Sequence, residues 1–250
     1  VIGMQTGVRL PRLRRFSRAS THRGIPVYTR SAVYGTLVAA ALSLSAQAEA
    51  AMYCISTTSG LNASMTAAND GAEGSVQDLR LRPGTYNVPA GLIFDPAGDK
   101  DGKDFSITGG WNLDCSARVT NAAATIVNAE NGSLDGEFAF HGNNARYVVE
   151  GIRFTNFHYF SLDDENCGLD CPDTSAIRVR YNEFRNGVQV AVAARDAAAL
   201  TVSNNLFANI DPNIPSGIVV VYLNAEQRPV FAFNTIAGTN CLAGGDALLV

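Results

Sequence analysis

One short pattern recurs four times in the second half of the chain, and it limits the fold more than any other feature. Each copy has an apolar run, an Asn or a neighbouring residue, a bulky apolar residue and a small polar turn. The aligned bulky residues follow one another at spacings of 30, 23 and 29 residues: Phe154, Phe184, Phe207 and Ile236. Self-similarity at a period of about 20 to 50 residues indicates a solenoid, in which each unit buries its apolar face by stacking on its neighbours. We therefore expect an all-β solenoid.

The first fifty residues predict an export signal. Residues 1–48 contain seven Arg and no Asp or Glu, and an apolar stretch over residues 32–46 ends at two Ala-x-Ala sites. A basic region, a short apolar core and such a site are typical of a secretory signal peptide. A membrane anchor is less favoured, because the apolar stretch is shorter than the roughly 20 residues that span a bilayer. We predict a basic region and signal peptide over 1–50, followed by one domain over 51–250.

Charge limits the partners of that domain. Residues 51–250 contain 12 basic and 22 acidic residues, a net charge of −10. Such a chain is not attracted to phosphate backbones, so nucleic acid is not expected as a partner. No later apolar run reaches the length of a membrane span, so no span is expected in the mature chain.

All five cysteines fall after the predicted signal. Cysteines of an exported chain usually pair, and no Cys/His pattern here indicates zinc. We favour Cys54 with Cys115, and Cys167 with Cys171. Cys241 is then left over, and its exchange with Cys167 or Cys171 stays open.

Local patterns predict a helix followed by short strands. Leu61, Met65 and Ala68 lie on one face of a helix over residues 59–69, which would cover the end of the solenoid. We predict a tight turn at residues 83–86. Strands are expected at 76–82, 105–111, 125–127, 138–140, 158–162, 188–192, 218–222 and 247–250.

Two sets of insertions interrupt the repeats. Residues 211–216 and 239–246 leave one corner of the coil, and residues 163–174 leave another. Insertions on one edge of a repeat protein often mark the working face. Because the sequence stops within an apolar strand, we also expect it to be truncated at its C-terminus.

Several of these features occur together in one known family. They are the early helix, the Leu-x-Leu-x-Pro-Gly-Thr-Tyr stretch that starts at Leu79, the Thr-Gly-Gly-Trp-Asn segment that starts at Thr108, and the repeats with Asn before a bulky residue. In these features residues 52–250 resemble the bacterial secreted right-handed parallel β-helix proteins of the pectin-lyase-like superfamily. The resemblance implies a right-handed parallel β-helix with an N-terminal capping helix.

The resemblance also implies two internal ladders. Three strands per coil would form three parallel sheets, in which like residues stack at about 4.8 Å. Phe154, Phe184 and Phe207, with Ile236, would form an apolar stack. Asn182, Asn205 and Asn234 would form an amide ladder that satisfies backbone groups of the turns.

Family enzymes cut acidic polysaccharides, either with clustered aspartates or with calcium and a basic residue. The chain has no convincing match to either site: His141-Gly142-Asn143 is not the Gly-His-Gly of the hydrolases, and the lyase Arg-x-Pro-x-x-Arg is absent. No catalytic role is therefore carried over.

Acidic segments are the candidate metal sites. Asp163, Asp164 and Asp170 lie in a stretch with five acids in eleven residues, and calcium prefers such hard oxygen ligands. A solvated insertion loop is the alternative. The segment from Asp95 to Asp104 lacks the EF-hand spacing, and turn chemistry accounts for its composition. Calcium is thus the one cofactor considered.

Histidines and tyrosines complete the candidates. His141 and His158 lack the context of a nucleophile, and the rings of Tyr159 and Tyr181 could contact sugars or serve as packing. We expect an exported scaffold for surface attachment or glycan binding, located outside the cell, in the periplasm or on the outer cell surface, with polysaccharide or cell-surface partners.

The alternative is a polysaccharide lyase or glycoside hydrolase. It would require acidic and basic residues to converge in a cleft: Asp163, Asp164, Asp211 or Asp246 with Arg178, Arg180 or Arg228.

Overall fold

The fold is built from three parallel sheets that the chain visits in turn. We analysed a computed structural model, which describes residues 50–72, 74–96, 102–119, 121–130, 136–142, 145–164, 176–187, 192–197, 199–210, 221–225, 229–238 and 248–249. Within these ranges the chain is mostly β, with one α-helix and one short 3-10 helix at Ala122–Ala124. The predicted signal peptide lies outside the described residues and stays a prediction.

The strands are numbered along the chain and grouped by sheet. In the described ranges sheet A has seven strands: Ala51–Ile55 (β1), Val76–Leu81 (β2), Asp104–Thr108 (β5), Arg146–Glu150 (β8), Ala176–Arg180 (β11), Ala199–Ser203 (β14) and Val230–Ala232 (β17). Sheet B has six: Gly84–Asn87 (β3), Thr125–Asn128 (β6), Arg153–Thr155 (β9), Glu183–Arg185 (β12), Leu206–Ala208 (β15) and Thr235–Ala237 (β18). Sheet C has six: Leu92–Phe94 (β4), Glu137–Gly142 (β7), Tyr159–Asp164 (β10), Val192–Ala197 (β13), Val221–Ala225 (β16) and Leu248–Leu249 (β19).

From β2 onward the chain repeats the circuit A, B, C, and each strand pairs with its equivalents one circuit earlier and later. All of these strand pairs are parallel. The expectation of a solenoid-like, mostly-β chain is therefore confirmed.

Strand alternation directs apolar rows from every sheet into the core. In sheet B, Phe154 pairs with Phe184, Phe184 with Phe207, and Phe207 with Ile236. The Phe rings stack nearly parallel, with centroids 5.5 and 5.1 Å apart. All three Phe side chains have 0% exposure. The residues that align between repeats in the sequence are thus the residues that pair in sheet B.

An amide ladder lies at the turn between sheets A and B. Asn205 Oδ1 accepts from the backbone amide of Asn182 at 3.0 Å and from its Nδ2 at 3.1 Å. Asn234 Oδ1 accepts the same two bonds from Asn205, at 2.9 and 3.0 Å. Each Nδ2 also donates to a carbonyl at the end of a sheet A strand, as in the 3.0 Å bond from Asn205 to Val179. The ladder satisfies polar groups that would otherwise be buried without partners.

The helix Thr58–Asp70 (α1) covers the first circuit. The Thr57 hydroxyl caps its N-terminus by accepting from the Gly60 amide at 3.1 Å. Its buried face includes Leu61, Met65 and Ala68, and it contacts β1, β3 and β4, the first strand of each sheet. The predicted helix and its apolar face are confirmed. None of the helices in the described ranges has the length and apolar character of a membrane span.

A disulfide ties the first strand to a long connection between β5 and β6. Cys54 and Cys115, the pair favoured from the sequence, are joined with an Sγ–Sγ distance of 2.09 Å. In the same connection Trp111 lies beneath the Arg80 guanidinium, 4.2 Å from the ring centroid, and donates from Nε1 to Thr108. Cys167, Cys171 and Cys241 lie outside the described residues.

Two local predictions are wrong. The turn predicted at residues 83–86 is mostly strand β3, because Tyr86 is buried and its hydroxyl lies within hydrogen-bonding distance of the Ile55 and Arg82 carbonyls. The strand predicted at 105–111 ends at Thr108, where the chain leaves the sheet. Of the strand expected at 188–192, only Val192 lies within the described residues, where it begins strand Val192–Ala197, and β4 was not predicted.

The Phe stack gives a direct test of the core. Phe184→Ala should lower the free energy of unfolding by about 3–5 kcal/mol, because it removes a fully buried ring and leaves a cavity between two others. Phe233→Ala is the matched control, since Phe233 is 87% exposed and its truncation should change stability by less than about 1 kcal/mol. Chemical denaturation of both variants measures the difference, and equal losses would contradict the proposed stack.

Candidate functional site

The turn between sheets A and B repeats one unusual backbone conformation. In four described circuits, the residue after the sheet A strand has a positive φ: 71° at Gly151, 57° at Tyr181, 56° at Asn204 and 56° at Phe233. Its backbone amide donates to the next circuit, for example from Tyr181 to the Ser203 carbonyl at 3.2 Å. We call this line of four residues the AB corner.

Two residues of the AB corner are poorly suited to their conformation. Gly and Asn adopt positive φ readily, whereas other L-residues lose about 1–2 kcal/mol there. Tyr181 and Phe233 nevertheless occupy two of the four positions. Phe233 recovers little of this cost by burial, since it is 87% exposed, and Tyr181 still exposes 51% of its surface. Exposed aromatic residues with a strained backbone indicate a role other than packing.

The two rings are placed at a regular distance. Arg180, before Tyr181, pairs with Ser203, and Ser203 pairs with Ala232, before Phe233. Tyr181 and Phe233 are therefore two strand spacings apart, or about 9.6 Å along the stacking direction. Asn204 lies between them and is exposed.

A charged network borders the AB corner on the sheet A side. Glu150, at the end of β8, is only 6% exposed. Its two carboxylate oxygens accept from Arg118 Nη1 and Arg180 Nε, both at 2.6 Å. Arg118 is brought here by the long connection after β5, and its Nε donates to the Gly109 carbonyl at 3.2 Å. Of the two arginines that bind the buried carboxylate, Arg118 is held by a backbone carbonyl and Arg180 by its place in strand β11.

A cleft of about 420 Å³ lies between this network and Tyr181. The Arg180 guanidinium carbon is 5.9 Å from the Tyr181 ring centroid. The lining combines an aromatic ring with charged and amide groups: Arg118, Asn121, Ala122, Glu150, Gly151 and Tyr181. Such a mixture of one apolar face and several directional polar groups suits a polyhydroxylated ligand.

A second charged network lies on the sheet B side. Glu183 Oε2 accepts from Arg153 Nε at 2.7 Å and from Arg185 Nε at 2.9 Å. Burial by itself would raise the pKa of Glu183, but the hydrogen bonds and positive charges of Arg153 and Arg185 outweigh it and hold that pKa below its ordinary value of 4.5. The two networks each contain two arginines and one carboxylate, so the surface beside Tyr181 is basic in an acidic domain.

The predicted metal residues occupy other positions than expected. Asp163 and Asp164 lie in strand β10 rather than in a loop, because the strand extends two residues further than predicted. In the register Asp163 lies beside His141 and Arg195. Asp170 lies outside the described residues. Across the described residues no three His, Cys, Asp or Glu side chains form a group able to hold a metal ion, and calcium binding stays a prediction.

The residues required for the enzyme alternative are distributed over two sheets. Arg178 and Arg180 lie in β11 of sheet A, whereas Asp163 and Asp164 lie in β10 of sheet C. Arg180 is paired with Glu150. Asp211, Arg228 and Asp246 lie outside the described residues.

The remaining candidates are placed in sheet C or near it. His141 Nε2 is 3.3 Å from the Ser161 hydroxyl, which is only 1% exposed and therefore not accessible as a nucleophile. Tyr159 and His158 are half-buried. Further upstream, Asp104 pairs with Arg146 at 3.3 Å, and the Asp95 amide is bound by Asn69, in agreement with turn and strand roles.

Sequence reasoning found Tyr181 but missed Phe233 and the two charged networks. The signal for the AB corner was in the repeats, since their first residues are Gly151, Tyr181, Asn204 and Phe233. Gly and Asn at two of these positions indicate a positive φ. The networks could not be found in this way, because Arg118 and Glu150 are 32 residues apart and meet only through the fold.

Searches against models of protein families, curated proteins and solved structures found no match to this chain.

The strain at the AB corner predicts an unusual stabilising substitution. Phe233→Asn should raise the free energy of unfolding by about 1 kcal/mol, because Asn tolerates the positive φ and the lost ring is almost fully exposed. Val230→Asn on the preceding strand is the control and should lower stability, since Asn is disfavoured in strands. Thermal and urea unfolding check both variants. A comparable loss in Phe233→Asn would show that its ring is a packing residue.

The lowered pKa of Glu183 predicts a pH-dependent contribution to stability. A depressed carboxyl pKa stabilises the fold above its ordinary value of 4.5, and this contribution is lost as the pH falls through the folded-state pKa. We expect Glu183→Gln to cost about 1 kcal/mol at neutral pH and progressively less below pH ~4.5. Urea unfolding between about pH 3 and 7 measures the difference, with Glu137→Gln in sheet C as the control. A cost of Glu183→Gln that stays constant with pH would contradict the role of its two arginine partners.

Proposed function

We propose that this chain is an exported, right-handed parallel β-helix that binds glycan at the AB corner and so serves as an extracytoplasmic scaffold for surface attachment. The repeated A, B, C circuit of parallel strands supports the β-helix assignment. Parallel strands joined through a crossover are right-handed in about 98% of cases, which supports the handedness.

Export is supported by two separate features. The N-terminal basic and apolar segments have the form of a signal peptide. The bond between Cys54 and Cys115 requires an oxidising environment to persist, as found outside the cytoplasm. The periplasm, the outer cell surface and the external medium all meet this condition.

The single observation that carries glycan binding is the pair of exposed aromatic rings in strained turns. An aromatic ring offers an apolar face to the C–H groups of a sugar ring, and polar groups beside it bind the hydroxyls. At Tyr181 both are present, because Glu150 and Arg118 line the adjacent cleft. Phe233 is 87% exposed and is not packed among the described residues.

Binding is favoured over the lyase or hydrolase alternative. The described acidic residues that the alternative needs lie in sheet C, whereas the described basic ones lie in sheet A. The corner itself has a carboxylate, Glu150, but both of its oxygens are already held by arginines. This arrangement suits a fixed binding surface better than proton transfer.

Affinity electrophoresis of the full chain through gels containing single polysaccharides tests the proposal. The panel contains a β-glucan, xylan, alginate, polygalacturonate and chitosan. We expect retardation on at least one gel and about tenfold weaker retention for Tyr181→Asn, because one stacking contact is lost. Leu113→Asn is the matched control, since Leu113 is also an exposed apolar residue, at 77% exposure, and lies outside the AB corner. No retardation on any gel, or equal retention of Tyr181→Asn, would overturn glycan binding at the AB corner.

A further inference from the structure

The spacing of groups along the AB corner specifies the kind of glycan that fits it. We infer that the corner binds a linear β-1,4-linked glycan that lies along the stacking direction. One sugar ring would stack on Tyr181, and the sugar ring two units further along would stack on Phe233. The inference rests on the proposed function and adds the linkage, direction and minimum length of the ligand.

The first step concerns distance. Tyr181 and Phe233 belong to circuits separated by one further circuit, so their turns are about 9.6 Å apart. One sugar unit of an extended chain advances by roughly 5 Å, close to the strand spacing of about 4.8 Å. The two aromatic rings therefore match units i and i+2 of an extended glycan, and a disaccharide cannot contact both.

The second step concerns orientation. In an extended β-1,4-linked chain with near two-fold symmetry, successive rings are turned over, so units i and i+2 present the same face. Equatorial hydroxyls leave axial C–H groups on that face, which is the surface that packs against an aromatic ring. Two rings at alternate circuits fit this repeat, whereas an α-1,4-linked chain coils and does not follow a straight line of contacts.

The third step concerns the group between the rings. Asn204 occupies the middle position of the line and is exposed. Its amide offers both donors and an acceptor. The unit that lies over it has equatorial hydroxyls along its rim, and these are within the chemistry of an amide that both donates and accepts. Asn204 thus places hydrogen-bonding groups between the two aromatic positions.

The last step concerns the open end of the line. Gly151 takes the position before Tyr181, and a Cβ there would lie 2.4 Å from Arg118 Nη2. The absence of a side chain lets Arg118 lie across the corner and form the wall of the cleft. A glycan that extends past Tyr181 would enter this cleft and meet Arg118, Asn121 and Glu150.

Isothermal titration of the full chain with cello-oligosaccharides of two, three and six units tests the inference, with maltohexaose as the α-1,4-linked comparator. We expect cellotriose to bind about tenfold more tightly than cellobiose, because only the longer ligand contacts both rings, and maltohexaose to bind more weakly than cellohexaose. Phe233→Asn should abolish the step between two and three units. Asn204→Gly should retain the step and lower all affinities by a few fold. Circular dichroism and thermal unfolding verify that each variant is folded.

The outcomes separate this inference from the proposed function. Polysaccharide gels could retard the chain in a way that depends on Tyr181, while cellotriose binds no more tightly than cellobiose or maltohexaose binds as tightly as cellohexaose. That result would overturn the β-1,4-linked ligand and leave glycan binding in place. Failure of every polysaccharide to retard the chain would overturn both. A length step that persists in Phe233→Asn would show that the second ring lies elsewhere.

Discussion

Parallel pairing between successive circuits is the constraint on which the rest of the structure depends. Because each strand pairs with its equivalents at about 4.8 Å, any residue type repeated at one position becomes a continuous row. Inside sheet B this gives the stack of Phe154, Phe184 and Phe207, and at the turn it gives the amide ladder of Asn182, Asn205 and Asn234. A wrong register would break both rows together, so the apolar and the polar ladder specify the same alignment.

The same constraint explains the candidate site. Positions on the outside of a turn also form rows, but no packing requirement selects their side chains. At the AB corner the backbone favours Gly and Asn, and the chain has them at Gly151 and Asn204. Tyr181 and Phe233 depart from this preference although half of the first side chain and most of the second are exposed. Departures from local preference that the fold itself does not require are where functional constraints are expected.

The sequence was sufficient for those parts of the fold that repeat. The aligned Phe residues predicted the stack, and the helical periodicity of residues 59–69 predicted α1, because both follow from regular spacing along the sequence. Strand β3 was taken for a turn, since the tertiary bonds of Tyr86 override the turn preference of Pro83 and Gly84. The site was predicted only in part. Tyr181 was found as an aromatic in a repeat, whereas the pairing of Arg118 with Glu150 depends on a connection whose path no sequence pattern specifies.

The bond between Cys54 and Cys115 has a consequence for the way the stack loses order. Solenoids are held by contacts between neighbours only, so their outermost circuits can detach while the interior persists. Here the covalent link closes a segment of 61 residues that runs from β1 past β5. In the chain-entropy model, closing a loop of this length lowers the entropy of the unfolded state and so stabilises the fold by about 4 kcal/mol. Detachment of β1 alone therefore cannot free that end of the chain, and the circuits beneath α1 are bound into one cooperative block.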